Sequence, residues 1–84
     1  IVVRGHTDNL PLGPNLKEKF PSNWELSVDR ATAVVRFLQK EGGLQPDRLS
    51  ACGYSFYRPV ASNKNKEGRR QNRRIEIILS PSSK

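Results

Sequence analysis

His6, Thr7 and Asp8 stand in a row within RGHTDN, residues 4–9, straight after the apolar run Ile1-Val2-Val3. In an extended chain His6 and Asp8 share a side, because alternate residues do. Three chemistries suit such a cluster. The first is a hydrolase triad with Ser27. That serine falls in the second turn of a helical stretch and lacks the G-x-S-x-G turn that presents a nucleophile. The second is a metal site, but two ligands do not close one and no third is evident. One His and one Cys are also too few for a four-ligand structural zinc site. The third is a strand end that holds a ligand through Thr7 and Asp8, with His6 structural.

A partner for Asp8 is Arg30. Asn23, Ser27, Arg30 and Val34 recur at spacings of 4, 3 and 4, so they form one stripe on a helix. This stripe reads either as a solvated face or as one wall of a site. The free N–H groups at the helix start favour anions. If the strand end lies beside this helix, Asp8 and Arg30 come close. A carboxylate and a guanidinium facing one pocket suit a zwitterion carrying an ammonium and a carboxylate. They serve equally well as each other's salt bridge, and sequence does not choose.

The elements that must position these residues are legible in outline. Ile1-Val2-Val3 is a β-branched strand end that Gly5 can bend at its exit. Residues 9–22 contain three prolines and a glycine and read as a long loop. SNWELSVDRATAVVRFLQKEGG is a helix. Ser22 and Glu25 make a capping box at its start, and Gly42, Gly43 and Pro46 stop it. Trp24, Val28, Ala31, Val35 and Leu38 form its apolar stripe. DRLSACGYS reads as a second strand, residues 66–73 as a short helix and RIEIILS as a third strand. In that last strand Ile75, Ile77 and Leu79 face one way, and Arg74, Glu76 and Ser80 the other. PSSK is a frayed tail. The expected fold is α+β, with helices on one face of a small mixed sheet.

Eighty-four residues make one domain. The chain opens inside an apolar run without a methionine, as a segment of a longer protein would. Its single cysteine, Cys52, excludes an internal disulfide. No apolar stretch approaches the roughly 20 residues that span a bilayer, so any anchor is expected outside this segment. Fifteen basic residues against eight acidic give +7, which suits polyanionic partners. Lys64, Lys66, Arg69, Arg70, Arg73 and Arg74 cluster in one stretch. No aromatic lies within it to stack on bases, and no helix-turn-helix or finger pattern is present. A nucleic-acid or polyanion binder is therefore the alternative reading, and no nucleic-acid partner is expected.

Taken in order, RGHTDN, NWELSVDRATAVVRFL, RLSACGYS with RPV, and EGRRQNRRIEI resemble the OmpA-like peptidoglycan-binding domain. The proline-bearing loop and the FPSNWELS lead-in are similar to its MotB branch, the flagellar stator proteins. The resemblance implies a β/α/β/α/β two-layer sandwich over residues 1–84 that binds the stem peptide of peptidoglycan without catalysis and without a cofactor. It implies that Asp8 holds the ammonium of diaminopimelate and Arg30 its carboxylate. Asn23 and Arg73 match further site positions of the family, and Thr7 is a helper. It also implies a first strand and helix upstream of Ile1, a periplasmic location, an inner-membrane anchor, a stator partner subunit and a homodimer. Two departures stand out. The family often has Gly-Tyr-Gly where this chain has Gly53-Tyr54-Ser55, and Cys52 is unusual for an oxidising periplasm.

Overall fold

Residues 1–79 are described by the structure, a computed structural model; the PSSK tail and Ser80 lie outside them. Strand β1 (Val2–Gly5) is followed by α1 (Pro14–Lys19), α2 (Asn23–Lys40), a 3-10 turn (Pro46–Arg48), β2 (Ser50–Gly53), α3 (Lys66–Asn72) and β3 (Ile75–Ile78). The sheet order is β2-β1-β3. β1 runs parallel to β2, with Val3 opposite Ala51, and antiparallel to β3, with Val3 opposite Ile77. This is the expected small mixed sheet with helices.

Helix α2 packs on β1 and β2. The contact is close because the sheet offers glycines where the helix crosses. A Cβ on Gly5 would collide with the Ser27 carbonyl oxygen, and one on Gly53 with Ser27 Oγ and Val28. Gly5 therefore serves approach, not bending: it continues β1, and its φ is not positive.

The same contact corrects the phase of α2. Asn23, Leu26, Ser27 and Ala31 are the buried residues, while Trp24 and Val28 are exposed. The stripe that reads as a candidate solvated face thus meets the sheet. Small polar side chains fit over the glycine floor where large apolar ones do not. Ser27 Oγ donates to the Trp24 carbonyl at 2.9 Å and accepts from the Ser55 amide at 3.1 Å.

The helix start is capped by Ser22, whose Oγ accepts from the Trp24 amide at 3.1 Å. The box differs from expectation in that Ser22 Oγ also donates to the Glu25 carboxylate. That bond holds the Glu25 carboxyl below its ordinary range. Helix α1 lies inside the stretch that reads as loop. Pro14 takes the first helical position, where its missing N–H costs nothing. Lys17 and Lys19 sit in the last turn, where the helix dipole favours cations.

The apolar alternation of β3 does not bring its side chains into the core. Ile75 and Ile77 share the face of Val3, which α2 covers, yet they are exposed, as is Leu79. β3 is an edge strand and α2 lies over β1 and β2. Among the described residues the buried apolar side chains are Val3, Leu26 and Ala31. Polar residues carry much of the interior. Asn72, wholly buried, is an example: Oδ1 accepts from the Val60 and Ala61 amides at 2.8 and 3.0 Å. Its Nδ2 donates to the Ala61 carbonyl at 3.0 Å and to Asn63 Oδ1 at 2.8 Å. All four of its hydrogen-bonding positions are filled.

Candidate functional site

The chain leaves β1 through His6, Thr7 and Asp8, all buried despite their polarity. Backbone bonds account for this path. The His6 amide donates to the Arg74 carbonyl at 3.0 Å, and the Thr7 amide to the Ser55 carbonyl at 2.8 Å. Thr7 Oγ1 donates to the Asp8 carbonyl at 2.8 Å. Ser55 holds φ +55°, a left-handed conformation that L residues rarely adopt. It occupies the last position of Gly53-Tyr54-Ser55, where the resemblance has glycine.

The two oxygens of Asp8 face different partners. Oδ1 accepts from the Leu10 amide at 3.0 Å, closing a local turn. Oδ2 accepts from Arg73 Nη1 at 2.6 Å, a short charge-assisted bond. Asn23 joins the same turn, since its Nδ2 donates to the Leu10 carbonyl at 3.2 Å. A continuous path therefore runs from Arg73 through Asp8 and Leu10 to the start of α2.

Of the residues singled out from sequence, Asp8, Thr7, Asn23 and Arg73 are brought together. Arg30 is not paired with Asp8: among the described residues the ion-pair partner of Asp8 is Arg73. Arg30 lies half-buried about two turns along α2 from Asn23, on the side that also carries Ser27. The Asp8–Arg30 salt bridge weighed from sequence is not formed among the described residues; Asp8 pairs with Arg73. Arg73 directly follows Asn72, whose four bonds fix the end of α3. The sequence alone does not single out Asn72, because a buried, saturated amide looks like any surface asparagine there. Its place in NRR beside a site arginine was the available signal.

His6 belongs to a separate network. Its Nε2 hydrogen-bonds Glu76 Oε1 at 3.1 Å, its ring stacks on Tyr54 at 5.2 Å, and the Arg58 guanidinium lies 4.3 Å from the Tyr54 ring centre. Burial lowers the imidazole's pKa, the nearby Arg74 lowers it further, and the bond to Glu76 opposes both. Partial burial pushes the Glu76 carboxyl up, but hydrogen bonds from Arg74 and His6 carry it below its ordinary value. With Ser27 engaged by Trp24 and Ser55, the three triad candidates do not converge. Among the described residues no three His, Cys, Asp or Glu side chains group to hold a metal, and no helix is long and apolar enough to cross a membrane.

Three of the six basic side chains at residues 64–74 have internal partners. Arg69 Nη1 donates to the Asn63 carbonyl, Arg73 to Asp8, and Arg74 to Glu76 and the Arg58 carbonyl.

The OmpA family model matches residues 1–73. Motility protein B of Bacillus subtilis is 46% identical over 81 residues, which are 96% of this chain and 30% of that protein. The C-terminal domain of Helicobacter pylori MotB (residues 125–256) superimposes with a TM-score of 0.84 at 38% identity, covering 98% of this chain and 59% of that one. The cell wall anchor of the T6SS from Pseudomonas aeruginosa gives 0.78 at 42% identity, covering 88% and 49%. The chain thus spans about a third of the curated relative's length.

Proposed function

The chain belongs to the OmpA family, and we propose that it binds peptidoglycan without catalysis, anchoring a larger protein to the cell wall. The carrying observation is the buried Asp8 carboxylate at the end of β1, turned toward a guanidinium and bordered by Thr7 and Asn23. A relative described as a cell wall anchor supports the same reading.

The ligand is the stem peptide, and its diaminopimelate supplies the zwitterion. Its ammonium competes with Arg73 for Asp8 Oδ2, and its carboxylate is taken by Arg30, with Arg73 free to assist once displaced. Thr7 and Asn23 hold the Asp8 turn in place. Each charge-assisted hydrogen bond is worth about 1.5–3 kcal/mol. Losing the Asp8–Arg73 pair and paying for association leave a weak single site, which many stems on one wall offset by avidity. The likeness to MotB extends the proposal to a periplasmic domain of an inner-membrane-anchored, homodimeric stator protein with a partner subunit.

Sedimentation with purified sacculi tests this. The chain pellets, Asp8→Ala and Arg30→Ala weaken it, and Asn23→Ala weakens it less. A wild-type chain left in the supernatant at low salt contradicts the reading. The +7 charge supports one competitor, a polyanion binder. It predicts equal pelleting by all variants and a steep loss with salt.

A further inference from the structure

His6 is only 2% exposed, and the site around Asp8 does not use its side chain. Its Nδ1 has no hydrogen-bond partner. Its Nε2 shares Glu76 Oε1 with Arg4, at 3.1 and 3.9 Å, and Arg74 takes the other Glu76 oxygen at 2.8 Å. Tyr54 stacks on the imidazole, and the Arg58 guanidinium lies over the Tyr54 ring. One carboxylate therefore serves two guanidiniums and the imidazole.

This cluster sits between two sets of anchors. Asp8 is held from the side of β2 and α2. The Thr7 amide bonds the Ser55 carbonyl, Asp8 Oδ1 takes the Leu10 amide, and Asn23 takes the Leu10 carbonyl. Arg73 belongs to the other side, between α3 and β3. His6 ties the two together. Its amide bonds the Arg74 carbonyl at 3.0 Å, and its ring bonds Glu76 of β3.

We propose that His6 is a pH-sensitive latch: its protonation loosens this seam, withdraws Arg73 from Asp8 and opens the zwitterion site to ligand. The inference rests on the peptidoglycan reading and names a regulation of the same site. An imidazolium brings a third cation to Glu76 and a buried Nδ1–H that has no acceptor. Both costs fall once the ring reaches water. Its release breaks the bond to Glu76 and loosens the adjoining His6–Arg74 bond, and Arg73 is the residue before Arg74. The bonds that fix the Asp8 turn do not involve β3. The carboxylate therefore stays in place and loses its guanidinium. Burial and Arg74 disfavour the charged ring in the closed arrangement, and both act less on a ring near water. Proton uptake and opening are thus linked, and acid strengthens ligand binding.

The test is isothermal titration of the 84-residue chain with free diaminopimelate stem peptide. Affinity should be about fivefold tighter at about pH 5 than at about pH 7. The ligand's carboxylates and ammonium stay largely charged over that range, so the change belongs to the protein. His6→Gln keeps a donor for Glu76 but has no proton to gain. It should bind equally at both pH values, with the wild-type strength seen near neutrality. Arg73→Gln should lose the pH dependence too. Without ligand, the Asp8 Cγ signal in NMR should move with the same midpoint as the His6 ring. Circular dichroism checks folding of each variant at both pH values. Four results overturn the proposal: stem binding of equal strength at both pH values, a pH dependence that His6→Gln retains, an Asp8 signal that ignores the His6 titration, or global unfolding in step with it. If the stem binds at neither pH, the peptide reading falls, and the Asp8 signal alone decides the latch.

Discussion

Asp8 carries a structural bond on one oxygen and, on the proposed reading, a recognition role on the other. Oδ1 closes the turn to Leu10, so the carboxylate's position is set before any ligand arrives, while Oδ2 meets a guanidinium that a ligand cation can replace. Asn72 has only the structural half of such a role. Removing its side chain strands the Val60 and Ala61 amides, so Asn72→Ala should lower stability by about 3 kcal/mol, read as a shift in the urea midpoint. Ser55 pays a conformational cost at φ +55°. Ser55→Gly should raise stability by about 0.5–1 kcal/mol in the same assay. His6 gives a pH signature. Its folded pKa lies below the ordinary 6.5, chiefly through burial and then through Arg74. Its contribution is complete above pH 6.5 and is lost as pH falls toward the folded value, because the unfolded chain takes up the proton first. Glu76, also lowered, adds a further loss below 4.5. Urea midpoints should thus fall from about pH 6.5 downward, and His6→Gln should flatten the upper part of that decline.

At the scale of elements, helix α2 was legible in its cap, length and stop signals but not in its rotation. Hydrophobic period alone turns Trp24 and Val28 inward. The real inner face is Asn23, Leu26, Ser27 and Ala31, because the floor beneath is Gly5 and Gly53. Burying Asn23 and Ser27 is tolerable only because Leu10, Trp24 and Ser55 satisfy them, and such partners are invisible in a linear reading. Gly5→Ala should therefore cost about 3 kcal/mol or more, seen as a lowered thermal midpoint, since the helix has no room to retreat without losing those bonds. Helix α1 was hidden by its prolines, one of which starts it. The alternation of β3 was correctly periodic, but its apolar residues remain exposed at the sheet edge, beyond the reach of α2.

At the scale of the molecule, four motifs in chain order made the family legible, and all four supply residues that meet around Asp8 or Ser55. Which arginine faces Asp8 was not legible, because Arg73 is 65 positions away in sequence and comes close only through the β1–β3 pairing. The net charge of +7 suggested a polyanion surface, yet the folded chain commits Arg69, Arg73 and Arg74 to internal partners. On the proposed reading, charge then contributes weak steering, and recognition falls to the zwitterion site at Asp8. Isothermal titration with two free stem peptides tests that claim most directly, one carrying diaminopimelate and one carrying lysine, which lacks the side-chain carboxylate. The diaminopimelate stem should bind at least about tenfold tighter, and Asp8→Asn, which keeps an oxygen for the Leu10 turn, should abolish that binding. Equal affinity for the two stems, or undiminished binding by Asp8→Asn, would contradict it.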